Sequence, residues 1–134
     1  MGRDKLYNVL RKHKMLIDRK KRSSPDTTNS NHAYLKYPNL IKDFAPTRSN
    51  ELWVSDITYI SVGYDFNYLS LITDAYSRKM MGYCLHPHLS AQGAINALKM
   101  AIQVRPAPGT LIHHSDGGVQ YCSFEYTLRL KKQV

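Results

Sequence analysis

The apolar positions change their spacing twice along the chain. Between residues 3 and 13, Leu6, Val9 and Leu10 recur at helical intervals with Tyr7 and His13 beside them, which predicts a short helix with one apolar face. A helix of that length does not hold in water on its own, so it needs a surface to pack on, either the rest of the chain or something upstream. "RKKRSSPDTTNSN" (19–31) carries no apolar period, and its Ser, Thr, Asn and Pro content predicts a linker. "KYPNLIKDFAPTRSN" (36–50) continues irregularly, with Pro38 and Pro46 as breakers.

At Glu51 the pattern becomes that of strands. "LWVSDITYI" (52–60) is rich in β-branched and aromatic residues and apolar on both alternating faces, which predicts a strand covered on both sides. "GYD" (63–65) supplies a turn, "NYLSLITDA" (67–75) a second strand and "KMMGYCLH" (79–86) a third, and connections this short predict an antiparallel meander. Residues 90–104 return to helical period, with Ala91, Ala94, Ile95, Leu98, Ala101 and Ile102 on one face and Ser90 placed to cap the start. "RPAPG" (105–109) ends that helix, "TLIHH" (110–114) is a short strand, and "SFEYTLRLKK" (123–132) begins another helix. Strand, strand, strand, helix, strand, helix is the order of a mixed α/β domain whose meander leads into a crossover helix.

Length and composition add limits. With 134 residues and 43% hydrophobic content there is room for one small globular domain with an appendage. No apolar run reaches the roughly 18–20 residues of a membrane span, and the charged N-terminus does not read as a secretory signal. Cys84 and Cys122 form no C-x-x-C pair, so neither a disulfide framework nor a zinc knuckle is indicated, and a reducing, cytoplasmic setting is expected.

The net charge of +9 is concentrated at one end. Residues 1–22 hold nine cations, Arg3, Lys5, Arg11, Lys12, Lys14, Arg19, Lys20, Lys21 and Arg22, against Asp4 and Asp18, whereas residues 51–134 are nearly balanced, with seven cations and six acids. A cationic arm of this density attracts polyanions, and nucleic acid is the expected partner, although a solvated tail has the same composition.

Two acids stand out against the strand pattern. Asp56 lies inside the most apolar strand, where a buried carboxylate requires a counter-charge, a metal or hydrogen bonds; a water-facing strand position is the plain alternative. Asp116 follows the short strand and precedes Gly117 and Gly118, which allow positive φ and close backbone approach. An Asp-Gly turn is the ordinary reading of that spot, yet strand ends are also where sites gather in open α/β sheets. Two acids converging there would suit Mg2+, and paired ions of this kind drive phosphoryl transfer. Asp74 in "TDAYSR" reads as a turn residue or a partner of Arg78, and Trp53 as core. His113 and His114 are adjacent on a strand and point to opposite faces, so a supporting role suits them better than joint ligation. His86 and His88 read as loop residues, and His32, Tyr34 and Tyr37 beside Lys36 either stack on bases or pack on the core.

Taken in order, "GRDKLYNVLRKHKMLIDRKKR", "TTNSNHAYLKYPNL", "LWVSDITYI", "LITDAYSRKMMGY" and "HHSDGGVQYCS" resemble the integrase-like transposases of bacterial insertion sequences, of the insertion-sequence-three family, and cover nearly the whole chain. The resemblance implies an incomplete ribonuclease-H-like α/β core at 50–134, preceded by a basic helical DNA-binding segment at 1–22 and a linker at 23–49. It implies an Asp-Asp-Glu catalytic set in which Asp56 and Asp116 are the first two members, both holding Mg2+ or Mn2+, two ions in the intact family. Metal-dependent cleavage and strand transfer on DNA would follow, with DNA as partner, self-association as an expectation and no membrane. The family's Glu falls on a later helix, and Glu125 does not match it, so the chain is expected to be a piece cut at both ends that binds metal weakly or not at all and is inactive alone. A non-catalytic basic DNA-binding or regulatory module is the alternative.

Overall fold

The computed structural model describes residues 2–16, 29–106 and 109–133. Helix α1 runs Arg3–Lys12 as its spacing predicts, and none of its residues is buried. Residues 29–50 carry neither helix nor strand. Strand β1 (Leu52–Val62) turns through Gly63 and Tyr64 into β2 (Asp65–Asp74). Gly63 adopts φ 61 while Tyr64 does not go positive, the arrangement of a two-residue hairpin loop that matches the twist of its strands. Strand β3 (Met80–His86), helix α2 (Ala91–Gln103), strand β4 (Ile112–Ser115), the short helix α3 (Val119–Cys122) and helix α4 (Phe124–Gln133) complete the fold. The predicted last helix is thus preceded by a separate turn of helix, broken at Ser123, whose hydroxyl donates to the Gln120 carbonyl at 2.9 Å.

The sheet order is β3-β2-β1-β4. The first three strands pair antiparallel, and β4 returns through α2 to lie parallel to β1. This is an α/β ribonuclease-H-like arrangement of meander and crossover. One sheet face is covered: Trp53, Ile57, Ile72 and Met81 pack against Ala94, Ile95, Leu98 and Ala101 of α2 and Tyr126 of α4. Trp53 and Tyr126 are 1% and 0% exposed. Gly82 makes the close approach possible, since a Cβ there would sit 2.1 Å from the Ala97 carbonyl oxygen.

Two expectations are corrected. Strand β1 is not covered on both sides: beyond Ile57 every residue to Val62 is exposed, and Tyr83 and Leu85 on the face opposite α2 are also open. The apolar character of 58–62 therefore reflects β-propensity rather than burial. Ser90 occupies the N-cap position of α2 with extended backbone but makes no cap hydrogen bond; its hydroxyl lies 3.4 Å from His86 Nδ1.

Candidate active site

Strand register decides how the two acids meet. Strands β1 and β4 pair in parallel as Leu52↔Ile112, Trp53↔His113, Val54↔His114 and Ser55↔Ser115. The next residue on each side is an acid, Asp56 and Asp116, and both are exposed. Neighbouring strands lie about 4.8 Å apart, so the two acids occupy neighbouring backbone positions just past the last paired residues of β1 and β4. Asp56 therefore takes the water-facing option and avoids the burial that an apolar strand would impose. The Tyr121 hydroxyl senses the pair from within the fold: burial pushes its ionisation up, the neighbouring Tyr126 adds to that, and the negative charges of Asp116 and Asp56 push it further. That hydroxyl is buried and has no hydrogen-bond partner among the described residues.

Asp116 is held by its own turn. Its Oδ1 accepts from the Gly118 amide at 3.1 Å. Gly118 has φ −68, and Gly117 is not in the positive-φ region either, so the glycines do not serve the left-handed conformation the sequence allows. Close approach is the reason at Gly118, where a Cβ would lie 2.9 Å from Asp116 Oδ1 and 3.2 Å from Gln120 Oε1. The segment at 29–32 fastens the same turn from outside: Val119 donates its amide to the Asn29 carbonyl at 3.1 Å, and His32 Nε2 lies 2.8 Å from the Gly117 carbonyl oxygen. The following stretch, 36–41, walls a cavity of about 470 Å3 against β4 and α4, with Lys36, Tyr37, Asp116, Tyr121, Cys122 and Lys131 among its lining. Lys131 Nζ sits 5.9 Å over the Tyr37 ring. Burial pushes the Cys122 thiol up, Lys36 opposes that shift and Asp116 adds to it, so both charges act on one spot.

The other candidates separate cleanly. Asp74 is 1% exposed and serves as a turn anchor: its Oδ2 accepts from the Asn50 amide at 2.6 Å and its Oδ1 from the Ser77 amide and hydroxyl at 2.7 and 2.8 Å. Its side chain forms no ion pair with Arg78; instead the Arg78 amide donates to the Asp74 carbonyl at 2.9 Å. Burial opposes the Asp74 charge and the hydrogen bonds outweigh it, leaving the carboxyl below its ordinary range. Glu125 is in the first turn of α4, exposed, with Arg129 3.5 Å away. His86 Nδ1 caps its own loop by contact with the His88 backbone at 2.8 and 3.1 Å. Among the described residues no three His, Cys, Asp or Glu side chains cluster as metal ligands. Arg3, Lys5, Arg11, Lys12 and Lys14 are exposed on α1 and the turn after it, while Arg19, Lys20, Lys21 and Arg22 lie outside the described residues.

Residues 46–133 match the integrase core domain. The chain belongs to that family. Its relatives place this integrase core with transposases of the insertion-sequence-three kind. It is 40% identical over 127 residues to the insertion element IS600 uncharacterized 31 kDa protein of Shigella sonnei, covering 94% of this chain and 46% of that one. It is 39% identical over 93 residues to the transposase InsF for insertion sequence IS3A of Escherichia coli, covering 69% of this chain and 32% of the relative. The chain thus spans less than half the length of these curated relatives. Among solved structures, the HTLV-2 integrase catalytic core domain in complex with magnesium (trimeric form) superposes with a TM-score of 0.56 at 18% identity, covering 66% of this chain and 57% of that one. A simian T-cell lymphotropic virus intasome gives 0.57 at 19% identity, over 80% of this chain and 36% of that one. At such identities the likeness establishes the fold.

Ser55, Lys131 and Tyr126 are the site's neighbours that sequence patterning missed. The only signal for Ser55 was a polar residue in an apolar run; Lys131 and Tyr126 look like ordinary helix residues until α4 is packed.

Proposed function

We propose that this chain is the DNA-processing core of an insertion-sequence transposase, in which Asp56 and Asp116 jointly hold a divalent cation beside bound DNA. What supports the reading is the parallel register that ends at Ser55↔Ser115, since the next residue on each strand's chain is an exposed acid. Carboxylate oxygens suit Mg2+ or Mn2+, and Mg2+ in particular is held through one or two carboxylates with water completing its shell. The donor set therefore fits the ion. When bound, such an ion neutralises charge on a phosphodiester and favours attack on phosphorus. The chain's own residues do the rest. Gly118 and the 29–32 segment hold Asp116 in place, and the cations of residues 1–22 attract the phosphate backbone.

In the whole transposase this site would cut DNA and join strands, within the cytoplasm where that DNA lies, with copies of the protein assembling on the element ends. With two acids at the site and Glu125 turned toward Arg129, this chain alone is expected to bind metal weakly and not to cleave. That same pairing of Glu125 favours a second reading, a basic DNA-binding module without catalysis. Mn2+ titration followed by water-proton relaxation tests the choice. The first reading expects weak binding that Asp56→Asn removes. Salt-sensitive DNA binding with Mn2+ binding absent or indifferent to Asp56→Asn favours the second. Vigorous Mn2+-dependent cleavage by the chain alone overturns the expected inactivity.

A further inference from the structure

Beneath the carboxylates, side chains from three elements converge on one nitrogen. Ser55 Oγ of β1 lies 2.7 Å from His113 Nε2 of β4, and the Tyr126 hydroxyl of α4 lies 3.0 Å from the same atom. Ser55 and Tyr126 are 4% and 0% exposed. The three side chains thus form a triangle joined through His113 Nε2, with Ser55 reaching it from β1 and Tyr126 from α4. Burial drops the His113 pKa to about 4, with His114 adding to the effect, so the imidazole is neutral near pH 7. A neutral ring nitrogen is either a donor or an acceptor, and two hydroxyls, each able to do both, can satisfy it either way.

Its location gives it consequence. Ser55 immediately precedes Asp56, and its partner across the ladder, Ser115, immediately precedes Asp116. Strand β4 has four residues and, among the described residues, pairs with β1 alone. Parallel pairing is slightly weaker per residue than antiparallel, and a slip of one residue moves a strand by about 3.3 Å and reverses its faces. A ladder this short leaves the position of Asp116 dependent on whatever else ties β4 down. We infer that the Ser55–His113–Tyr126 triangle is a positioning device that fixes the register of β4 against β1 and thereby holds Asp116 abreast of Asp56 for a divalent cation. The hydrogen-bond contacts of its Nε2 are to Ser55 and Tyr126, and through them it acts on the strands. The inference rests on the metal-binding reading above.

The test compares Mn2+ affinity with thermal stability in His113→Leu, His113→Gln, Tyr126→Phe and Ser55→Ala, with Asp56→Asn as the reference. Removing a group that orients a ligand lowers metal affinity about tenfold or more. His113→Leu and Tyr126→Phe are expected to do so while still folded at the assay temperature. His113→Gln, whose amide can donate and accept at the same place, is expected to recover most of the loss. A purely packing role would move the melting temperature and leave the affinity of the folded protein unchanged. Should His113→Leu not fold, Tyr126→Phe and Ser55→Ala, which each lose one hydroxyl, decide. Unchanged affinity in the folded hydroxyl variants, beside a loss in Asp56→Asn, overturns the inference alone. Wild-type binding that is absent, or indifferent to Asp56→Asn, overturns the metal reading and the inference with it.

Discussion

His113 is neutral because the fold withholds water from it, and that fact has a pH signature. Its pKa falls from the usual 6.5 to about 4 on folding. The unfolded chain therefore binds a proton that the folded chain refuses, so the contribution to stability is complete above about pH 6.5 and is lost as pH falls toward 4. The size is roughly 3 kcal/mol. Urea unfolding at a series of pH values should show this loss in the wild type and a shallower one in His113→Gln. Asp74 acts in a lower window: its carboxyl sits below the ordinary 3.8, so its contribution holds above that value and fails as pH drops further. Asp74→Ala strips an acceptor from the Asn50 and Ser77 donors and should cost about 1–3 kcal/mol in thermal or urea unfolding. The chain shows Asp74 as a turn residue and His113 as a supporting one, but only the folded backbone brings Asn50 to the first and Ser55 and Tyr126 to the second.

Helix α2 and the 29–32 segment carry the predictions that belong to elements. At Gly82 an added methyl would meet the Ala97 carbonyl oxygen at 2.1 Å and the Ala101 amide nitrogen at 2.8 Å, both rigid helix backbone. Gly82→Ala must lift α2 off β3 and should destabilise by about 1–3 kcal/mol, the usual range for overpacking, with a matching fall in melting temperature. The strap is a different case. His32→Ala removes the contact to Gly117 at an exposed site. Amide exchange at Gly118 and Val119 should accelerate while global unfolding changes little, because surface loops open locally at low free energy. The elements themselves were legible: β-branched and aromatic runs separated by short turns predicted β1 to β3, and the 3.6 period predicted α2. The break between α3 and α4 was not, since it depends on the Ser123 hydroxyl turning back to Gln120.

For the whole molecule, charge makes the remaining prediction. Cations that neutralise phosphates release counterions, so log affinity for DNA should fall steeply with log salt, at about 0.9 per phosphate contacted. Deleting residues 1–22, which hold nine of the chain's 19 cations, should flatten that slope and weaken binding across sequences; filter binding or fluorescence anisotropy over a salt series measures both. An unaltered slope would place the DNA contact elsewhere, with the cations around the cavity of 36–41 as the next candidate. By itself the sequence determined the strand and helix order and the concentration of cations in residues 1–22, and it marked Asp56 and Asp116 as candidates, because periodicity, charge and residue type are local properties. Only the tertiary structure decided that the acids occupy neighbouring backbone positions, that one sheet face is open and that Ser55, His113 and Tyr126 meet. Those depend on strand register and on contacts between residues 58 positions apart in sequence, such as Ser55 and His113, which no local pattern encodes.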